Sequence, residues 1–247
     1  MNVGASFGHV KTDFNAPITF TANNGGGPGS GTTGFAGSDI EHPSGFIGGG
    51  QIGYNWQLSP IWVVGFEADI QGALEKDSNR PSRNFDLTFT APGLIISVGG
   101  SQTVDYQTKI DWFGTVRGRL GYLWGDGAVL TYVTGGLAYG EVKINGINTV
   151  SLPPVSVTQA FGHSQVNTGW VVGFGTEGKT LIPGLTYKIE SLYMDLGTLN
   201  FTGSGASPIT PIGAGVTLGT TVGLTTHSHF TDGILRAGLN YKFGGPY

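Results

Sequence analysis

The chain has 247 residues, a formal net charge of −4 and only 11% charged residues, where a soluble domain usually carries about 25%; it has neither the surface charge that solubility needs nor a basic stretch for nucleic acid. No run of 18 apolar residues offers a transmembrane helix, and the absence of Cys removes disulfides, thiol catalysis and thiolate metal sites. Two classes remain: a Gly-rich fibrous chain, and a membrane β-barrel with its apolar residues spread over alternating strands; the 45 Gly show no three-residue period, which argues against collagen.

In chain order, a first strand is expected at about 2–10, where Met1 runs directly into Asn2-Val3-Gly4-Ala5-Ser6-Phe7. No secretory signal is evident there, so an exported chain would be represented by a mature or re-engineered form. The polar stretch at about 11–43 contains Asn23-Asn24-Gly25-Gly26-Gly27-Pro28-Gly29-Ser30-Gly31 and reads as a flexible loop. A second strand at about 45–57 turns at Leu58-Ser59-Pro60 into a third at about 62–73. A loop at about 74–104 follows, in which Leu94-Ile95-Ile96-Ser97-Val98 is β-prone enough for a strand extension. The fourth strand, about 106–123, turns at Gly125-Asp126-Gly127 into the fifth, about 128–144. After a loop at about 146–166, with β-prone Val155-Ser156-Val157, the sixth strand (about 167–181) turns at Pro183-Gly184 into the seventh (about 186–199). A last loop, about 200–226, precedes the eighth strand at about 228–243.

Short turns and long loops therefore alternate. An all-β, eight-stranded antiparallel up-and-down transmembrane barrel, one domain over 1–247 with short periplasmic turns and long extracellular loops, has this rhythm.

The strand faces separate by chemistry. In the third strand Trp62, Val64, Phe66, Ala68 and Ile70 oppose Val63, Gly65, Glu67, Asp69 and Gln71; in the fourth, Ile110, Trp112, Val116, Leu120 and Tyr122 oppose Lys109, Asp111, Thr115, Arg117 and Arg119. The sixth sets Trp170, Val172 and Phe174 against Glu177 and Lys179, and the eighth sets Leu235, Ala237, Leu239, Tyr241 and Phe243 against Arg236, Asn240 and Lys242. The fifth strand is ambiguous, and the seventh sets Tyr187 and Ile189 against Lys188 and Glu190 before Leu192, Met194 and Asp195 break the pattern, which a bulge would repair. The near balance of charges suits a narrow lumen in which ions must be paired. Glu67, Asp69, Asp111, Arg117, Arg119, Glu177, Lys179, Glu190 and Arg236 are the expected lumen network. Trp56, Trp62, Trp112, Tyr122, Trp124, Trp170, Tyr187, Tyr241 and Phe243 cluster near the ends of the oily face and are the expected aromatic girdles. Trp112 and Tyr122 lie ten residues apart, roughly 25 Å for a tilted strand, which matches the apolar band of an outer-membrane barrel. The oily face is thus expected to meet lipid.

Four stretches, GFIGGGQIGYNWQL at 45–58, WFGTVRGRLGYLW at 112–124, YVTGGLAYGEV at 132–142 and RAGLNYKF at 236–243, resemble the small porin-like outer-membrane β-barrel family of alphaproteobacteria, related in fold to the OmpA transmembrane domain. The resemblance implies a bacterial outer-membrane location among lipid and lipopolysaccharide. It also implies recognition of the C-terminal strand by the barrel-assembly machinery, although Gly244-Gly245-Pro246-Tyr247 here follows the expected terminal Phe243. Family members are described as structural surface antigens, adhesins, haem binders or weak porins.

The functional expectation is a structural, surface-exposed barrel with a charge-plugged lumen and loops that contact other barrels or surface proteins. The alternatives are a small-solute porin, and a haem- or metal-binding receptor using His227 and His229, spaced i, i+2, with His42 or His163. Two such histidines without a Cys are a sparse ligand set, more simply read as solvated, and no cofactor is expected. Gly48-Gly49-Gly50 and Gly135-Gly136 lack the Lys or following helix of a phosphate loop, and no Ser stands in a GxSxG elbow, so no enzyme is expected.

Overall fold

The computed structural model describes residues 1–23, 28–91, 94–125, 127–153, 155–207, 210–213 and 216–243; the Gly244–Tyr247 tail and the Asn24–Gly27 stretch lie outside them. The elements are strands only: β1 (Asn2–Asn23), β2 (Pro28–Glu41), β3 (Ser44–Gln57), β4 (Trp62–Asn79), β5 (Ser82–Ala91), β6 (Leu94–Trp124), β7 (Val129–Leu152), β8 (Val155–Lys179), β9 (Leu185–Ala206), β10 (Thr210–Gly213) and β11 (Val216–Tyr241).

Near the short turns, eight of these strands form a closed antiparallel ring in the order β1, β3, β4, β6, β7, β8, β9, β11. The C-terminal strand closes it: Val3 pairs with Ala237 and Phe7 with Gly233. Closure removes the sheet edges, which is what permits a sheet to stand in hydrocarbon. The turns are tight. Ser59 Oγ accepts the Trp62 amide at 3.1 Å, and Gly184, at φ 79°, ends the β8–β9 connection where a side chain would be strained.

The expected loops at 11–43, 74–104, 146–166 and 200–226 are mostly strand. β6 alone runs 31 residues, where about ten suffice to cross the apolar band. Their Gly, Thr, Asn and Ser content resembles loop composition, but period two persists: Phe14, Ala16, Ile18 and Phe20 are buried between exposed Asn15, Pro17, Thr19 and Thr21. At this far end β2 takes over from β3 beside β1, from Val10–Glu41 onward, and β5 takes over from β4 beside β6, from Ser82–Thr103. Pairing of β8 with β9 stops at Trp170–Asp195. Beyond that level, among the described residues, no pairing joins β8 to β9 or β2 to β5. The ring has opened into two facing sheets, β2–β1–β11–β9 and β5–β6–β7–β8. Ile18, Phe20, Leu218 and Val222 of the first pack against Leu87, Val150, Leu152 and Val157 of the second, as the inner faces of a β-sandwich do.

The two irregular faces have different causes. In β6 the register shifts between Ile110 and Trp112, so Ile110 and Phe113 both point inward. A one-residue bulge reverses every side chain beyond it, which moves Lys109 and Asp111 to the outer wall and corrects their expected lumen position. β9 has no bulge at Leu192–Asp195: Lys188, Glu190, Leu192 and Met194 all face inward on an unbroken period. There the interior itself changes from charged to apolar. The expected bulge falls later, opposite Phe230/Thr231, beside Gly197 at φ 72°.

Candidate functional site

The lower lumen is filled by side chains from alternate positions of β4, β6, β9 and β11. Arg117 Nη1 donates to Glu190 Oε1 at 2.9 Å and its Nη2 to Asp69 Oδ2 at 3.0 Å; Nη2 also bonds Glu67, and Nε donates to Thr115 Oγ1 at 2.9 Å. Arg236 donates from Nε to Glu190 Oε2 at 2.7 Å and from Nη2 to Asp69 Oδ2 at 2.8 Å. Lys188 Nζ donates to both Glu67 oxygens at 2.7 and 2.9 Å. Three carboxylates therefore meet three cations, and none of the six is more than 5% exposed. A charge removed from water this completely is tolerated only when paired and hydrogen-bonded; every member of this ring has an ion partner, while Asp69 Oδ1 and Arg236 Nη1 make no hydrogen bond.

A second tier lies toward the short turns. Arg119 reaches Glu67 at 3.4 Å and Glu177 at 3.5 Å, donates from Nε to Asn55 Oδ1 at 2.8 Å, and covers the Tyr132 ring at 5.3 Å. Lys242 approaches Glu177 at 3.2 Å. Seven of the nine expected network residues thus converge. Asp111 does not: from the outer wall it holds Lys109 at 3.0 Å and Lys143 at 2.6 Å. Lys179 does not either, being exposed at the short-turn rim where the strand leaves the lumen. The full cluster also includes Lys188, whose place opposite Tyr187 marked it as lumen-facing. Tyr132, whose hydroxyl donates to Glu190 at 3.0 Å, was hidden in a strand with apolar residues on both faces.

Above this ring the interior becomes largely apolar, with Phe113, Val171, Leu192, Ile234, Met194, Ile110 and Phe230 buried and Ser6, Glu75 and Asp232 set among them. Glu41 lies higher still, at the start of the hairpin formed by β1 and β2, bonded by Thr108 and near Tyr106. Burial raises its carboxyl to about 7.

The nine expected girdle aromatics lie on the outer wall. Trp62 meets Tyr122 edge-on at 5.6 Å and Tyr241 meets Phe243 at 4.9 Å near the short turns. Farther up, Trp112 meets Tyr139 at 6.2 Å and Trp170 meets Tyr193 at 5.5 Å. Between the two levels the wall shows Leu120, Val133, Leu137, Val172 and Phe174, each about half exposed or more.

His227 and His229 are exposed on β11 and bond Asn200 and Thr198. The His42 ring lies tilted against that of His9 at 5.2 Å, whereas His163 lies beside Phe201. Among the described residues no group of three or more His, Asp or Glu side chains could hold a metal ion.

No family model matches the chain. The 31 kDa outer-membrane immunogenic protein of Brucella melitensis biotype 1 is 33% identical over 199 residues, 81% of this chain and 67% of that protein. The chain belongs to that family. The 22 kDa outer membrane protein of Rhizobium leguminosarum bv. viciae is likewise 33% identical, over 172 residues, 69% of this chain and 61% of that protein. Among solved structures, Neisserial surface protein A has a TM-score of 0.31 at 12% identity, covering 96% of this chain and 97% of that one. Ail of Yersinia pestis has a TM-score of 0.28 at 13% identity, covering 91% and 98%. At such scores the barrel assignment rests on the strand register described above. The protein is an integral outer-membrane β-barrel, in an environment of lipid and lipopolysaccharide.

Proposed function

We propose that residues 1–247 form one barrel domain with a structural, surface-exposed role, a lumen closed to solutes, and far-end hairpins as the surface that meets other barrels or surface proteins. The ring of Arg117, Arg236, Lys188, Glu67, Asp69 and Glu190 carries this reading. Its ions bond one another across the lumen, and an eight-stranded barrel leaves room only for such side chains. The packed, largely apolar layer above the ring adds a second closure. The girdle aromatics are read as interface anchors, and pairing of β11 with β1 supports a reading in which the assembly machinery receives the last strand before closure. No catalytic role is assigned to any of these groups, because each charge is occupied by its counter-ion.

Single-channel recording in planar bilayers tests the closed lumen. The expected result is a silent membrane; steady openings in the nanosiemens range would establish the porin reading instead. Arg117→Ala with Arg236→Ala should raise conductance if those side chains are the plug.

A further inference from the structure

Two inward carboxylates lack what every carboxylate of the ring possesses. Glu75 of β4 and Asp232 of β11 are each 2% exposed, and no Lys or Arg forms an ion pair with either among the described residues. Both oxygens of Glu75 and Oδ2 of Asp232 lack a hydrogen-bond partner. Asp232 Oδ1 accepts the Phe7 amide at 3.0 Å, which fixes the carboxyl group without neutralising its charge.

Register brings the pair together. Ser6 of β1 stands opposite Ile234 on one side and Gly45 of β3 on the other, and Asp232 pairs with Gly8. Glu75 comes from β4, beyond β3, where the inward residue at this level is Gly45 and no side chain intervenes. The Ser6 hydroxyl, fully buried, is the polar neighbour shared by both carboxyl groups, although it makes no hydrogen bond of regular geometry to either. Four unpartnered oxygens thus converge in one buried place, at the height of Phe7 and Tyr193 on the outer wall.

A double negative charge in such surroundings must be neutralised, by a proton or by a bound cation. The donors are oxygens only, from carboxylates and a hydroxyl, with no imidazole among them. That set suits a hard cation and disfavours transition metals. Of the hard divalent ions, calcium tolerates irregular oxygen geometry completed by water, whereas magnesium demands a near-ideal octahedron. We propose that Glu75, Asp232 and Ser6 form a calcium-binding site inside the barrel, taken up as β11 closes against β1 and tying β4 to the closing seam.

The test is calorimetric titration of calcium chloride into the folded full chain in detergent, after chelator treatment. Wild type should bind one calcium per chain saturably. Glu75→Gln and Asp232→Asn should each weaken binding at least tenfold, and Ser6→Ala should weaken it severalfold. Asp13→Asn, on the outer wall, should leave it unchanged. No saturable binding by wild type overturns the proposal, as does unaltered binding in Glu75→Gln or Asp232→Asn. Should one carboxylate variant fail to fold, the other and Ser6→Ala still decide. A wild-type barrel that ignores calcium but is stabilised by acid would make a proton the occupant and equally overturn the site.

Discussion

The two halves of the barrel obey opposite rules on the same strands. Between the aromatic levels the outer wall is apolar (Leu120, Val133, Phe174) and the interior is ionic (Arg117, Glu190, Arg236). In the far-end sandwich the interior is apolar (Ile18, Phe20, Val222) and the outer wall carries Asn15, Thr19 and Thr21. The backbone is the same antiparallel ladder throughout, so the surroundings account for the difference. Lipid accepts an apolar wall and leaves polar groups to face inward, where they must pair; water reverses both preferences. The change in connectivity follows the same boundary. In lipid an unpaired edge is costly, so the ring is closed; in water the edges of β8 and β9 can be solvated, and two sheets suffice.

Breaking one interior rule should have the largest effect. Arg236→Met would leave Glu190 and Asp69 short of a buried counter-charge, at a cost of about 3–5 kcal/mol. Phe20→Ala, which empties part of the sandwich core, should cost a similar amount, about 3–5 kcal/mol, through a cavity instead of a charge. Urea unfolding in detergent measures both. A second substitution separates them: Asp69→Asn should recover part of the Arg236→Met loss, by restoring the balance of buried charge, and none of the Phe20→Ala loss. No recovery in the Arg236→Met background would contradict an ionic lower lumen.

The outer wall gives a sharper contrast with a single substitution type. Leu120→Arg, in the lipid band, should cost about 2–4 kcal/mol on folding into bilayers. Ile147→Arg points outward from the far end of β7, where its neighbours meet water, and should stay within about 0.5 kcal/mol. Equal penalties would remove the boundary between the halves.

This inversion also decides what could be read from the residues alone. Where lipid lies outside and ions inside, alternation is unambiguous, and Trp62, Val64 and Phe66 separate from Glu67 and Asp69 at sight. At Leu192 and Met194 the interior becomes apolar while the wall is still partly so. Both faces then look alike, and a regular strand imitates a bulge. Past that level the pattern persists with reversed meaning in Phe14, Ala16, Ile18 and Phe20, but Gly and Thr around it suggest loop. The real bulge at Asp111 was invisible because nothing local distinguishes it. Only pairing with Glu141 and Gly72 on the neighbouring strands places Trp112 out of step. The Glu75–Asp232 meeting, 157 residues apart in sequence, depends on closure and has no local signature.

Acidity offers a smaller effect confined to the far end. Burial lifts the Glu41 carboxyl to about 7, above its ordinary value near 4.5. Between those values the folded chain keeps a proton that the unfolded chain has lost. Stability from this group therefore falls as pH rises through that window and is level above about 7. The expected loss is on the order of 2 kcal/mol, reduced for the water near this end. Glu41→Gln should remove that part of the pH dependence in unfolding measured at pH 5 and pH 8. An unchanged difference between the two pH values would mean that Glu41 is already ionised in the fold.

The smallest effect tests a single bulge. Were Asp111 inside with the ring, Asp111→Asn would remove a counter-charge from buried cations and cost about 3–5 kcal/mol. On the outer wall its partners Lys109 and Lys143 are about one-quarter to one-third exposed, and water and salt share the work of neutralising them. Asp111→Asn should then cost between about 0 and 1 kcal/mol, and the difference should vanish at 1 M salt, where screening acts within about 3 Å. Urea unfolding of the two proteins at low and high salt supplies the answer. A loss above about 2 kcal/mol that persists in high salt would return Asp111 to the lumen. The register shift at Ile110 would have to be abandoned with it.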